Sequence, residues 1–442
     1  MINIQTVIIV SKEFYTLNWL NQKLTKMNTL LNRFLFILLA CLLLISCGKN
    51  SETVEMRNGV IDINVTEALK NVRDFNLSEI VKDVEFVTLE STPESFFNLP
   101  GRIQITDNYI FIFGMVSKNI LLFDRSGIFI RRIGQTGKGP GEYISGTTAS
   151  INPGEEYIIV VDGNGGKLLK YDLQGNFILQ KNYRSDFPYR IVSDLIFLDD
   201  NNFAVATARP PVPIDNYHRV LVFDVELNLS EKLLPIPNND SLCLKYLNPP
   251  LLSSGYSLDL YYEGFTDTLY SISPGEEPSP KYHFTIDKNR YTLDFMTWKD
   301  QSKKPKDFTF VLAAYDFPRY LLFRTHSFWD PYQMVYDKKK KVAFTTDDGN
   351  CCDTASYYDY ESHNITNDLF GYQPIGLRHQ SPNLNLLVYS LSLERAQEKT
   401  DLECFRKRKV RLPEKRDELA DMIENFSGEE LPLLVLMYLK ES

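Results

Sequence analysis

The sequence has few residues of the types that build metal and redox sites. Its 442 residues include only 6 Cys, 5 His and 3 Trp. No two cysteines have C-x-x-C spacing and no H-x-H or H-E-x-x-H motif occurs, so no zinc or thioredoxin-like site is indicated. A G-x-S-x-G nucleophile motif is also missing. We therefore predict no metal site, no cofactor and no catalytic residue from local spacing.

Positive charge is scarce as well. The chain has 48 Lys and Arg against 57 Asp and Glu, a net charge of −9, which argues against a nucleic-acid binder driven by phosphate contacts. Hydrophobic residues make up 43%, enough for a sizeable core, so wholesale disorder is excluded. The 28 Phe and 25 Tyr favour β-strands.

No apolar run reaches the roughly 20 residues that a membrane-spanning helix needs. The longest, residues 34–45, has 12 residues and follows several basic ones, which is typical of a secretory signal. Leu44-Ile45-Ser46-Cys47 comes directly after it and resembles a bacterial lipobox, whose cysteine is lipidated and becomes the first residue. A coincidental cysteine is the alternative. Met27 would open a signal of ordinary length and is an alternative start.

These features predict a signal peptide over 1–46, a lipidated tether over 47–57 and a lipid anchor in the cell envelope, in the outer membrane. Residues 1–46 carry four cations and one anion, so cleavage changes the net charge from −9 to −12. Four cysteines would remain besides Cys47: Cys243, Cys351, Cys352 and Cys404. An exported chain permits disulfides, but a bridge between neighbours is strained, so free or cross-paired thiols are expected for Cys351 and Cys352.

A strand–turn pattern repeats along the chain. Between residues 103 and 133, four short apolar segments alternate with turns, and the third ends at Asp124. Similar segments precede six turn-opening residues at intervals of 48 to 64, namely Asp124, Asp172, Asp224, Ser273, Asp337 and Ser390. Four strands in about 40–50 residues are typical of a propeller blade. We predict an all-β chain with one six-bladed β-propeller over 58–442; two stacked β-sandwich domains are the alternative.

Segments near both ends of the chain are expected to share the last blade and close the ring. These are residues 86–89 and 431–439. A helix beginning at Pro413, with one apolar face, is predicted just before the closing strand. The basic run Arg406–Lys409 before it is either a solvated surface or a patch for a partner or lipid headgroups.

Five segments resemble a known family in the same order. Residues 134–143, G-Q-T-G-K-G-P-G-E-Y, resemble the G-x-x-G-x-G-P-G-E-Y motif of NHL-like, six-bladed β-propeller lipoproteins of Bacteroidetes. The other four are residues 77–90, the D-T-L-Y segment that begins at Asp267, the pair Asn367-Asp368, and residues 431–440, where Leu431 replaces the family's usual Asn. The resemblance implies the fold, six blades and lipid anchoring, but no established activity.

Residues 137–141 contain three Gly and one Pro, which dictate an unusual backbone. One hypothesis is a rim loop that offers Lys138, Glu142 and Tyr143 to a ligand. The other is a crossover between blades whose Glu142 accepts backbone hydrogen bonds. Two oxygen-rich stretches, 162–166 and 347–350, could bind Ca²⁺, although both lie where hairpin turns are predicted.

Two classes of function fit these features. The first is a non-catalytic, monomeric scaffold that binds a glycan, a peptide or an envelope protein. The second is a propeller enzyme, such as a metal-dependent lactonase or hydrolase, or a lyase, acting on a sugar-derived substrate. Three or more metal-ligating side chains gathered at the axis would favour the enzyme.

Overall fold

The repeated strands assemble into six sheets that form the blades of a propeller. The computed structural model describes residues 54–97, 100–114, 119–144, 146–183, 192–207, 218–235, 251–253, 260–262, 268–287, 309–327, 330–347, 365–372, 379–381, 385–428 and 432–440. The prediction of an all-β, six-bladed β-propeller is confirmed, and the alternative of two stacked sandwiches is wrong.

The first half of the fold consists of an N-terminal segment and three regular blades. The segment contains β1 (Val54–Arg57), β2 (Val60–Asn64), α1 (Val65–Lys70), β3 (Val72–Asp74), a 3-10 helix (Leu77–Glu79) and β4 (Val81–Val87). Blade I contains β5 (Pro100–Ile105), β6 (Tyr109–Gly114), β7 (Ile120–Asp124) and β8 (Phe129–Arg132), and is followed by the short strands β9 (Gln135–Thr136) and β10 (Glu142–Tyr143). Blade II contains β11 (Gly146–Ile151), β12 (Tyr157–Asp162), β13 (Lys167–Asp172) and β14 (Phe177–Asn182). Blade III contains β15 (Val192–Phe197), β16 (Asn202–Thr207), β17 (His218–Asp224) and β18 (Leu229–Pro235).

The second half adds three blades and a helical insertion. Blade IV contains β19 (Leu251–Ser253), β20 (Leu260–Tyr262), β21 (Thr268–Ser271) and β22 (Ser279–Thr285). Blade V contains β23 (Thr309–Asp316), β24 (Tyr320–Ser327), β25 (Asp330–Asp337) and β26 (Val342–Asp347). Blade VI contains β27 (His379–Ser381), β28 (Leu386–Leu391) and, after α2 (Leu393–Lys399), α3 (Leu402–Arg406) and α4 (Pro413–Glu424), the strand β29 (Leu433–Leu439).

Aspartates at the ends of third strands explain the sequence repeat. The carboxylate of Asp124 accepts the N–H groups of Ser126 (2.9 Å) and Ile128 (3.0 Å) and so closes the turn into the fourth strand. The Ser126 hydroxyl and these N–H groups hold the pKa of Asp124 below its ordinary value, despite some desolvation. Asp172 and Asp224 use the same geometry in blades II and III.

Six hydrophobic clusters stabilise the ring, one between each pair of neighbouring blades. Ile112 and Leu121 of blade I pack against blade VI, for example, whereas Phe111 and Leu122 of the same strands pack against blade II. Successive residues of a strand point to opposite faces, and in a propeller both faces of every blade are covered. This explains why strands such as Tyr157–Asp162 are apolar almost throughout and completely buried.

Strands from the N-terminal segment and from the C-terminal end of the described chain meet in blade VI. Strand β29 lies between β28 and β4, which is the outermost strand of that blade, and it pairs antiparallel with β4. Val435 is opposite Phe86 in this register. The predicted ring closure is therefore confirmed, with residues from both ends in one sheet.

The N-terminal segment also extends two other blades. Strand β2 pairs parallel with β22 and carries β1 on its free side, so the sheet of blade IV has six strands. Strand β3 pairs parallel with β26 of blade V. Val54–Arg57, within the predicted tether 47–57, thus forms an edge strand.

The sixth repeat differs from its predicted position. Ser390 lies in the second strand of its blade, not in the turn after the third strand. The third strand is β29, because α2, α3 and α4 are inserted between β28 and β29. The predicted helix at Pro413 is α4, and the insertion adds two shorter helices before it. Among the described residues, no helix is long and apolar enough to cross a membrane.

Candidate functional site

The first strand of a propeller blade lies nearest the axis, and here the first strands of blades VI, I, II, III, IV and V contact one another in that succession. Four of these inner strands carry the same irregularity near their N-terminal ends. A register shift against the second strand occurs between Pro100 and Arg102, Gly146 and Thr148, Val192 and Asp194, and Val311 and Ala313. Such bulges redirect side chains and are common at barrel rims and beside binding sites.

The bulges place two opposite charges at the end of the channel where the inner strands begin. Arg102 Nη1 of blade I donates to Asp194 Oδ1 of blade III, so the ion pair passes across blade II. The side chains are 24% and 18% exposed, which leaves the pair partly desolvated but accessible. Asp194 Oδ1 also accepts the N–H of Leu195 (2.8 Å), which fixes the carboxylate.

A buried polar network lies on the inner strands of blades I and II. Gln104 Nε2 donates to the carbonyl of Ile151 (3.0 Å), and Gln104 Oε1 accepts from the Ile151 N–H (3.1 Å) and the Ser150 hydroxyl (2.9 Å). The network joins blades I and II. We define the channel mouth as Arg102, Gln104, Thr148, Ser150 and Asp194; Thr148 is buried.

The mouth is suited to binding polar groups. A guanidinium carries five N–H donors in a rigid plane, and the bond to Asp194 uses only one nitrogen. Hydrogen bonds to charged groups are stronger in a partly desolvated site than in water. Within the described ranges, no group of three or more His, Cys, Asp or Glu could hold a metal ion.

The segment 134–144 adopts the crossover conformation. Glu142 Oε2 accepts the N–H of Gly139 (2.8 Å), and Glu142 Oε1 accepts from Gln135 Nε2 (3.1 Å). A Cβ on Gly137 would stand 1.9 Å from Glu142 Oε2, which explains the need for glycine there. Glu142 is therefore occupied within its own loop.

Tyr143 is buried in the core, although the rim-loop hypothesis offers it to a ligand. It is 2% exposed, its hydroxyl donates to the carbonyl of Ile133 (3.2 Å), and burial raises its pKa to about 12. The Lys138 side chain is exposed, while its carbonyl accepts from Lys167 Nζ (3.4 Å). Of the three rim-loop candidates, only Lys138 faces solvent; its role in binding stays a prediction.

The oxygen-rich stretch 162–166 is a backbone-bonded turn. The buried carboxylate of Asp162 accepts the N–H groups of Ile144 (2.9 Å) and Gly165 (2.8 Å), and so fastens the crossover to blade II. A Cβ on Gly165 would stand 1.9 Å from Asp162 Oδ2. In the second candidate calcium stretch, 347–350, residues 348–350 lie outside the described residues.

The pair Asn367-Asp368 fastens three segments together. Asp368 accepts the N–H (2.9 Å) and hydroxyl (2.6 Å) of Ser78 and the Nε of Arg411 (2.7 Å), which links the N-terminal segment to the helical insertion. Asn367 is buried and donates to the carbonyl of Tyr372 (2.7 Å). Asp267, the remaining family-type position, and Cys47, the predicted lipidation site, lie outside the described residues.

Reasoning from the sequence missed the channel-mouth pair, because Arg102 and Asp194 are 92 residues apart and belong to no motif. A weak signal was present. In strand β5, the polar residues Arg102 and Gln104 alternate with Ile103 and Ile105. Polar side chains on a strand that is buried between blades are unexpected unless they line the axis.

The chain resembles solved structures and matches one family. A candidate exported protein of Bacteroides fragilis NCTC 9343 superposes with a TM-score of 0.59 at 17% identity, covering 84% of this chain and 98% of that one. A DUF4221 member from Bacteroides vulgatus gives a TM-score of 0.44 at 10% identity, covering 81% and 97%. No curated protein matches the sequence. Residues 60–438 match a family described as a domain of unknown function, DUF4934, and the chain therefore belongs to the DUF4934 family.

Proposed function

We propose that the protein is a lipid-anchored propeller of the outer membrane that binds a polar ligand at its channel mouth without catalysis. The observation that carries the proposal is the ion pair between Arg102 and Asp194. Its charges lie at the axis, where a propeller gathers residues from distant blades, and both remain partly accessible. A glycan, a peptide or a segment of an envelope protein with carboxylate or hydroxyl groups suits these donors.

Three observations support export and anchoring. The lipobox-like residues 44–47 follow a short apolar run, as in a lipoprotein signal. Cys404 is disulfide-bonded, which suits an oxidising compartment outside the cytoplasm. The Bacteroides fragilis protein that shares the fold is itself described as a candidate for export.

Lipidation is tested by labelling cells with a fatty-acid analogue and comparing two matched variants. Cys47→Ala should lose the label and leave the membrane fraction, whereas Cys41→Ala, within the apolar run, should keep both. A Cys47→Ala variant that keeps the fatty acid would refute the anchor.

Binding is tested by thermal shift with glycan and peptide libraries. A ligand of the channel mouth should raise the melting temperature of the wild type, because it binds only the folded state. The shift should vanish in Arg102→Met and persist in Lys232→Met, whose lysine is exposed on the outer strand β18. A ligand that stabilises Arg102→Met as well as the wild type would refute binding at the mouth.

A further inference from the structure

Four consecutive lysines form the turn between β25 and β26 of blade V. This lysine turn, Lys338–Lys341, is closed by Asp337, whose carboxylate accepts the N–H groups of Lys339 and Lys340 (3.0 Å each). The side chains of Lys339, Lys340 and Lys341 are exposed. The turn therefore presents positive charge on a protein whose net charge is −9.

Two buried carboxylates hold cationic side chains beside the turn. Asp316, 3% exposed, pairs with Lys338 and with Lys281 (3.1 Å), and accepts from the Tyr282 hydroxyl (3.0 Å). This contact joins strand β22 of blade IV to blade V. The cations are thus fixed in place instead of spreading into solvent.

The second carboxylate, Asp337, is 2% exposed and pairs with Arg319 (3.3 Å) and Lys340 (3.7 Å). Glu79 lies close by and accepts from the Tyr320 hydroxyl (3.1 Å). Among the described residues, the cluster thus combines six cations with three carboxylates and has a positive excess.

The other basic run of the chain lacks such an excess. Arg406 pairs with Asp421 and Glu424 (2.7 Å each), Lys407 pairs with Glu403, and Arg411 pairs with Asp368 (2.7 Å). These partners neutralise most of the run locally. By contrast, no ion pair of Lys339 or Lys341 is found within the described part of the chain.

The lysine turn also lies near the point where the tether joins the propeller. Val54 is aligned with Ile63, and Ile63 with Phe284, only three residues along β22 from Lys281. Strand spacings put Val54 within roughly 15 Å of Lys281. Cys47 is seven residues before Val54, so an extended tether spans at most about 25 Å.

We propose that the lysine turn docks the propeller onto an anionic lipid surface. Clusters of lysine near a membrane bind anionic headgroups, and each lysine near the surface strengthens binding roughly fivefold. A lipid anchor alone holds the protein at the bilayer, whereas the lysine turn fixes which side of the ring faces it. The inference uses the proposed anchor only for proximity.

The test uses the full-length lipidated protein on vesicles of phosphatidylcholine, with or without phosphatidylglycerol. Flotation first establishes that the protein is held by both kinds of vesicle, which tests the anchor separately. A water-soluble acylating reagent then labels lysines, and mass spectrometry measures the rate at each position. Lys339 and Lys341 should react at least about fivefold more slowly on anionic vesicles, and the difference should disappear near 1 M salt, where the Debye length is about 3 Å.

Matched charge-reversal variants complete the test. Lys339→Glu/Lys341→Glu should abolish the protection of Lys340, whereas Lys407→Glu/Lys409→Glu, with the same change in charge, should preserve it. Equal labelling rates on the two kinds of vesicle, for a protein that floats with both, would overturn the proposal and leave the anchor intact. Protection by inorganic phosphate on neutral vesicles would also overturn it, because the turn would then bind single anions.

Discussion

Arg102 of blade I forms an ion pair with Asp194 of blade III, across the inner strand of the blade between them. Each blade otherwise packs against its two neighbours through the apolar clusters. A contact that skips a blade can exist only at the axis, where the inner strands converge. The pair therefore joins alternate blades at the point where a channel ligand would arrive.

Removing either member of this pair should weaken the ring moderately. A double-mutant cycle with Arg102→Met and Asp194→Asn should give a coupling energy of about 1–2 kcal/mol, because the charges are only partly desolvated. Denaturant unfolding measures it. The exposed pair Lys407–Glu403 is the control and should give less than about 0.5 kcal/mol. Equal coupling for the two pairs would contradict the cross-channel role.

The segment 134–144, which carries the G-P-G-E-Y motif, should be sensitive to a side chain at Gly137. Gly137→Ala should destabilise the fold by about 1–3 kcal/mol, because the new Cβ overlaps the Glu142 carboxylate, which is 1.9 Å away. Thermal unfolding compares this variant with Gly154→Ala in blade II, where the nearest atom is 3.3 Å away. A Gly137→Ala protein as stable as Gly154→Ala would show that Glu142 moves aside at little cost.

The regular blades were predictable because their signals are local. Asp124, Asp172 and Asp224 close turns with neighbouring N–H groups, so the same residues recur at each third strand. The sixth blade was misplaced at Ser390, because an insertion of three helices separates its second and third strands. The insertion changes the spacing between turn-opening residues, although the strands of blade VI still pack as in the other blades. Only that spacing can be observed in the sequence.

The N-terminal strands and the channel mouth depend on distant contacts. Strand β2 pairs with β22 and β3 with β26, both in parallel, and such pairing leaves no turn motif in the sequence. The role of Asp368 could not be predicted for the same reason, because its partners Ser78 and Arg411 are distant in sequence, one before it and one after it. The resemblance to the propeller lipoproteins singled out Asn367 and Asp368, but it did not indicate that their contacts are structural.

Deleting residues 431–442 should prevent the ring from closing. Strand β29 lies between β28 and β4, so its loss would leave β4 without a partner and β28 paired only with β27, and would expose the clusters on either side of blade VI. We expect no cooperative melting transition by circular dichroism. Deleting only residues 441–442 is the control, because it retains β29. A normal transition in the longer deletion would mean that the ring does not depend on this closure.

Asp368→Ala should be more harmful than Ser78→Ala. The first change leaves the Ser78 N–H and hydroxyl and the Arg411 guanidinium without their acceptor, at a cost of about 2–3 kcal/mol. The second removes only one hydroxyl bond, at a cost of about 1 kcal/mol. Denaturant unfolding ranks the two variants. The reverse order would indicate that Asp368 does not fasten the N-terminal segment to the helical insertion.

Alkaline pH should reveal the burial of Tyr143. Burial raises its pKa to about 12 in the folded protein, whereas a tyrosine in an unfolded chain ionises near about 10. The unfolded state therefore loses this proton first, so the associated stability is fully present below about pH 10 and is lost as the pH approaches about 12. Tyr143→Phe should unfold more easily at neutral pH, because its bond to Ile133 is lost, yet lose less stability between about pH 9 and pH 12. Denaturant unfolding across this range measures both effects, and an identical pH dependence in wild type and variant would contradict the burial of this phenol.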